Sequence, residues 1–257
     1  MAEPKDQQSR AIPPDHIDQH LRALKLTFIA EHYAALAKQA AQKQWSHVDY
    51  LGRLMEGEAH VRRDRATQNR IRMARFPVIK TLEQFRWDWP TQMNRLQVQH
   101  HFSLGFIRDK SNLISLGGVG LGQTHLATAL GYAACLKGDA VLFASAMDVI
   151  NTLAAAKSAG RLKQELKKYT KPALLILDEL AYLPIDKTGA DLLFQVLSLR
   201  DEQGSIMLTS NRAFQEWPKM FNNDSPLTSA ILDRLLHHAE TVIIEGKSCR
   251  MKDQIEG

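Results

Sequence analysis

Gly117-Gly118-Val119-Gly120-Leu121-Gly122-Gln123-Thr124 fits the pattern G-x-x-x-x-G-K-[S/T] at every defined position except the lysine, where the chain carries Gln123. The largely apolar residues 112–116 precede it with strand composition, and residues 125–136, from His125 onward, follow with helical composition. That is the strand–loop–helix setting in which such a loop holds phosphate. Glycines let successive backbone N–H groups turn toward an anion, and a helix N-terminus adds partial positive charge. The Thr124 hydroxyl is placed to meet Mg²⁺.

Downstream of residue 111 the pattern is apolar strands alternating with helical stretches. The expected strands are 112–116, 140–144, 173–177, 205–210 and 241–244. Alternation of this kind predicts parallel strands with crossover helices, an α/β fold whose ligands bind at the carboxyl ends of the strands. Residues 174–177 form a continuous apolar run, as a central strand covered on both faces requires. Asp178 and Glu179 emerge at its end. An acid beside Thr124 would hold Mg²⁺, and the next acid would polarise an attacking water as general base. Asn211, after a fourth strand, is placed to sense the γ-phosphate, although Asn also favours ordinary turns. Arg234 has two open roles: pairing with a carboxylate of its own subunit, or reaching the nucleotide of a neighbouring one.

The net charge of +5 is uneven, with +6 over residues 1–110 and −1 over 111–257. Arg62, Arg63, Arg65, Arg70, Arg72, Arg75 and Lys80 face only Asp64 within residues 61–80. Such a cluster predicts a polyanion contact, nucleic acid above all, against the alternative of a solvated helix face. Cys135 and Cys249 form no metal spacing and read as reduced thiols. From the polar start of the chain no secretory signal is expected, and no apolar run is long enough to span a bilayer as a helix.

Residues 1–14 read as a flexible leader. Ile17, Leu21, Leu24 and Phe28 share one face of a helix expected to run to about Lys43. Ser46-x-x-Asp49 opens a second helix through the arginine cluster. Residues 15–75 are therefore expected to be a helical N-terminal domain. Residues 76–110 form a connector, with short helical pieces at 81–85 and 87–99 around the Trp89-Pro90 break, and 111–257 form the nucleotide domain.

Taken together, residues 117–130, 174–179, 209–211 and 227–250 resemble the AAA+ ATPases, and within them the IstB-type transposition helpers, relatives of bacterial replicative helicase loaders. The resemblance covers nearly the whole chain, including 178–184 and 235–253. It implies a P-loop NTPase with a parallel sheet flanked by helices, preceded by a small all-helical domain. Only 13 residues follow Ile244, so no C-terminal helical lid is expected. ATP and Mg²⁺ are the implied cofactors, with Gly117, Gly118, Val119, Gly120, Leu121, Gly122, Gln123, Thr124 and His125 around the nucleotide. Thr124 and Asp178 would serve the metal, and Glu179, Asn211, Arg234 (a trans arginine finger) and Arg250 (a second sensor) the chemistry. A helical element matching 147–169, with Arg161, Lys163, Lys167 and Lys168, would line a DNA-facing surface; the bland alternative is a solvated helix face. The implied partners are double-stranded DNA, a transposase and further copies of the chain, with nucleotide at subunit boundaries. The implied setting is the bacterial cytoplasm, at the nucleoid, with no membrane.

Gln123 departs from the family pattern. Glutamine keeps a donor of similar reach without the charge. Hydrogen bonds to charged groups contribute about 1.5–3 kcal/mol, so weaker nucleotide binding and slow hydrolysis are expected. The competing functions are a replicative helicase loader and a non-hydrolysing architectural DNA-binding protein. A small-molecule kinase fits poorly, for want of a lid or acceptor pocket.

Overall fold

The computed structural model describes residues 14–88, 93–180 and 184–246. Residues 1–13 of the proposed leader, the Trp89-Pro90 break, Arg250 and the 181–183 and 247–253 parts of the resemblance lie outside them, whereas Pro14, counted in the leader, opens a helix. The chain divides into two compact units, residues 1–68 and 69–257.

In the second unit, β1 (Asn112–Gly117), β2 (Val141–Ser145), β3 (Leu174–Leu180), β4 (Ser205–Ser210) and β5 (Ala239–Ile244) form one sheet in the order β2-β3-β4-β1-β5. Every neighbouring pair is parallel. All five strands fall where the apolar runs predicted them, within three residues at their ends. The intervening helices are α6 (Gln123–Lys137), α7 (Ala146–Ser158), α8 (Leu162–Thr170), α9 (Lys187–Arg200), and α10 (Trp217–Met220) with α11 (Ser225–Leu236). Ahead of the sheet come α4 (Arg95–His101) and α5 (Gly105–Arg108).

The alternation of side chains along β3 shows why residues 174–177 are all apolar. Leu175 and Leu177 pack on one face with Val149, Leu153, Leu193 and Leu235, whereas Leu174 and Ile176 pack on the other with Leu126, Leu130 and Ala134. Both faces are covered, so no polar residue is admitted before Asp178. One charge is nonetheless enclosed. The guanidinium of Arg200 donates to the carbonyls of Tyr169, Pro172, Ala173 and Ser205, tying the start of β3 to the start of β4. Burial lowers its pKa to about 10.

The first unit contains α1 (Pro14–Ala23), α2 (Thr27–Lys43) and most of α3 (His47–Ala74), whose last turns fall in the second unit. The single helix expected to run to Lys43 is broken, because Lys25 adopts a left-handed conformation with φ of 55°. Leu26, at the start of α2, offers no side-chain cap. Glu58 of α3 supplies it instead, accepting the N–H groups of Phe28 at 2.9 Å and Ile29 at 3.3 Å. Burial alone would raise the Glu58 pKa, but these bonds and the one from Arg62 outweigh it and hold the carboxyl below its ordinary value. α3 opens as its sequence suggests, with Ser46 accepting the N–H of Asp49 at 3.1 Å.

Two further expectations are corrected. The element at 147–169 is two helices, α7 and α8, parted by a turn in which Gly160 has φ of 67°. In the connector the piece expected at 81–85 is a 3-10 turn at Leu82–Gln84, but the one expected from 87 is an α-helix that starts only at Arg95, where Asn94 caps it by accepting the N–H of Gln97.

Candidate nucleotide-binding site

Parallel pairing brings the carboxyl ends of β1, β4 and β3 side by side, and a cleft of about 410 Å³ opens there. Val119, Gly120, Leu121, Gly122, Gln123, Thr124 and His125 line it from the loop, Glu179 from β3, and Thr209, Ser210 and Asn211 from the end of β4. Leu121 is buried and anchors the loop in the apolar layer below. Gly122, the residue before α6, has φ of 90°, and a Cβ there would lie 2.8 Å from the ring of Phe85. No side chain caps α6, so its first N–H groups face the cleft end of the helix.

The paired acids are separated by a backbone irregularity. The β3–β4 register shifts between Leu177 and Leu180, and Glu179 takes φ of 57°. A bulge of this kind re-aims side chains at a strand end. Asp178 stays buried while Glu179 is exposed to the cleft. Thr124 Oγ1 donates to Asp178 Oδ1 and Oδ2 at 3.2 and 3.0 Å. Thr209 Oγ1 donates to Asp178 Oδ1 at 2.5 Å and accepts the Glu179 N–H at 2.9 Å. One hydroxyl of β4 thus fixes both acids, orienting the first directly and the second through its strained backbone. Thr209 was legible only as a member of the 209–211 signature; its bond to Asp178 depends on strand pairing. Two hydroxyls on one carboxylate make an all-oxygen donor set, which fits Mg²⁺.

Gln123 points back into the protein. Its side-chain NH₂ donates to the carbonyls of Ser115 and Ser210, each at 2.9 Å. Both amide hydrogens are engaged at the ends of β1 and β4, leaving only the acceptor oxygen of the side chain for other contacts. His125 lines the cleft but is also bound outward. Its Nε2 lies 2.9 Å from the Thr81 carbonyl and its ring meets Phe85 edge-on. The connector thereby reaches the phosphate loop through Thr81 and Phe85.

The remaining candidate residues are more dispersed. Asn211 is exposed at the cleft. Arg234 Nη1 is paired with Asp201 Oδ2 at 2.5 Å, the intrasubunit role left open by its sequence. Arg161, Lys163, Lys167 and Lys168 are exposed on and before α8, with Lys168 paired to Glu165 at 2.7 Å. In the first unit Arg63 and Arg65 are exposed, whereas Arg62 binds Glu58 at 3.2 Å. Among the described residues no helix is long and apolar enough to cross a membrane.

The family description of IstB-like ATP-binding proteins matches residues 19–257. A Pseudomonas aeruginosa protein of insertion sequence IS21, described as ATP-binding, is 40% identical over 234 residues, covering 91% of this chain and 88% of its own. A similarly described protein of insertion sequence IS232 from Bacillus thuringiensis is 38% identical over 234 residues, covering 91% and 93%. Among solved structures, AMPPCP-bound DnaA from Aquifex aeolicus superposes with a TM-score of 0.56 at 23% identity, over 71% of this chain and 55% of that one. The sheet order, the loop after β1 and the acids after β3 form an AAA+ nucleotide-binding fold, and the chain belongs to the IstB-like ATP-binding protein family.

Proposed function

We propose that this chain is an ATP-regulated DNA-binding protein that assembles on double-stranded DNA as a homo-oligomer and stimulates the transposase of an insertion sequence, at the nucleoid in the cytoplasm. The carrying observation is the single cleft that unites the phosphate loop with the Thr124–Asp178–Thr209 network and Glu179. The loop amides and the α6 N-terminus bind the phosphates. Thr124 and Asp178 would hold Mg²⁺, which when bound neutralises phosphate charge. Glu179 orients and deprotonates the attacking water, and Asn211 hydrogen-bonds between that water and the γ-phosphate. Arg234 serves a neighbouring subunit's nucleotide only after leaving Asp201, so assembly competes with that ion pair. Arg250 acts as a second sensor for the same phosphate.

DNA contact rests on Arg63, Arg65, Arg161, Lys163, Lys167 and Lys168, with Arg62 at the edge of the first group. Binding through such cations is phosphate-directed and falls steeply with salt. The partner-facing element is the helical unit, where Val48, Leu51 and Met55 lie exposed three to four residues apart on α3. Hydrolysis is slow, because Gln123 brings no charge to the β- and γ-phosphates and its donors are engaged elsewhere.

The test is sedimentation of the full chain with duplex DNA, with and without Mg²⁺-ATP. Assembly and DNA affinity that rise with ATP support the proposal. Binding and assembly indifferent to nucleotide overturn it in favour of an architectural protein, the reading that the engaged Gln123 amide favours.

A further inference from the structure

Away from the cleft, Glu202, His237 and His238 converge with their ligand atoms all within 4.8 Å of one another. They come from two helix ends. Glu202 lies just beyond α9 in the left-handed conformation, with φ of 57°, and the histidines lie just beyond α11. The two imidazoles sit with centroids 4.3 Å apart, tilted by 53°.

The backbone under these side chains is fixed by long-range bonds. Asn112 donates its N–H to the His238 carbonyl at 2.6 Å and its side-chain amide to the Leu235 carbonyl at 3.1 Å. The same side chain accepts the Ile206 N–H at 3.0 Å. Opposite, Gln203 and Gly204 donate to the Arg200 carbonyl, closing the turn that carries Glu202. Arg234 and Asp201, immediately beside the donors, already tie the two helix ends together and match one another's charge. The three donors therefore need only side-chain adjustment to share a ligand.

We propose that Glu202, His237 and His238 bind a divalent transition-metal ion of the Zn²⁺ class, at a site separate from the nucleotide cleft. Two imidazoles and a carboxylate are the donor set of that class. Mg²⁺ selects oxygen donors and is not expected there. Because all three residues are exposed, at least one coordination position is open to water. A bound ion cross-links the ends of α9 and α11, the same two segments that the Arg234–Asp201 pair joins.

The experiment is calorimetric titration of the chelator-stripped full chain with Zn²⁺, and with Co²⁺ followed by its visible d–d absorption. One tight site per chain is expected, weakened at least tenfold in His238→Ala and in the near-isosteric Glu202→Gln. Saturating Zn²⁺ should also raise the unfolding midpoint of the native chain but not of Glu202→Gln, since ligand binding to the folded state alone stabilises it. All three side chains are exposed, so the variants keep the fold, and far-UV circular dichroism verifies it. Unchanged Zn²⁺ affinity in both variants, or no site tighter than millimolar, overturns the proposal.

Discussion

The two units are held together in different ways. In the nucleotide-binding unit, Leu174, Leu175, Ile176 and Leu177 are all completely buried, and helices cover both faces of the sheet. In the first unit, among the described residues, Ile29, Leu54 and Glu58 are buried, while Leu24, Val48, Leu51 and Met55 are exposed. The sheet fixes its functional groups to an apolar frame that few other arrangements could satisfy. The helical unit relies on a polar device, one buried carboxylate capping the helix that precedes it. A unit of the first kind suits chemistry that needs fixed atoms. A unit of the second kind, with apolar surface left over, suits docking to a partner.

The largest effect expected from this contrast is on Arg200. Arg200→Leu leaves the carbonyls of Tyr169, Pro172, Ala173 and Ser205 without their shared donor. Unsatisfied buried groups cost about 1–3 kcal/mol each, and partial relaxation should bring the total to roughly 3 kcal/mol. Hydrogen exchange resolved by segment should show the loss in β3 and β4 while α1 and α2 keep their protection. Equal loss of protection in both units would show that they unfold as one, and the contrast would fail.

Gln123 comes next. Gln123→Lys restores a cation at the loop, and phosphate release should rise about tenfold to a hundredfold, the range for a hydrogen bond gaining charge. Stability should barely change, because a lysine can reach the same two carbonyls. Turnover in the unmodified chain as fast as in the variant would mean that the loop amides suffice, and that the missing charge has no kinetic consequence.

The smallest effect tests the polar device of the helical unit. Glu58→Gln keeps the shape and loses the charge, and should cost about 1 kcal/mol, the usual worth of a cap. The folded-state pKa of Glu58 lies below its ordinary 4.5. Its stabilisation is therefore complete above that ordinary value and fades as pH falls through the lower folded one. Circular dichroism between pH 3 and 6 should show that dependence in the native chain and a flatter profile in Glu58→Gln. Superimposable profiles would remove Glu58 from the account.

The nucleotide site was more legible than the helical unit because its signals are local. Gly117–Thr124 carries its own backbone requirements, and the apolar run ending at Asp178-Glu179 can only be a covered strand with acids at its mouth. The break at Lys25 was hidden, since Ile17, Leu21, Leu24 and Phe28 keep helical spacing straight across it. The carboxylate that caps the helix after the break, Glu58, lies 30 residues away from Phe28. The split between α7 and α8 was likewise masked by continuous helical composition on both sides of Gly160.

From the amino-acid order alone came the parallel α/β fold, the positions of its five strands, the phosphate loop and its missing charge. These follow from side-chain period and from glycine spacing, which act over a few residues. Tertiary structure decided which way Gln123 turns, that Thr209 fixes both acids, that Arg234 rests on Asp201, and that Glu202 meets His237 and His238. Each of those contacts joins segments brought together only by strand order, and a linear pattern holds no record of which distant atom becomes a neighbour.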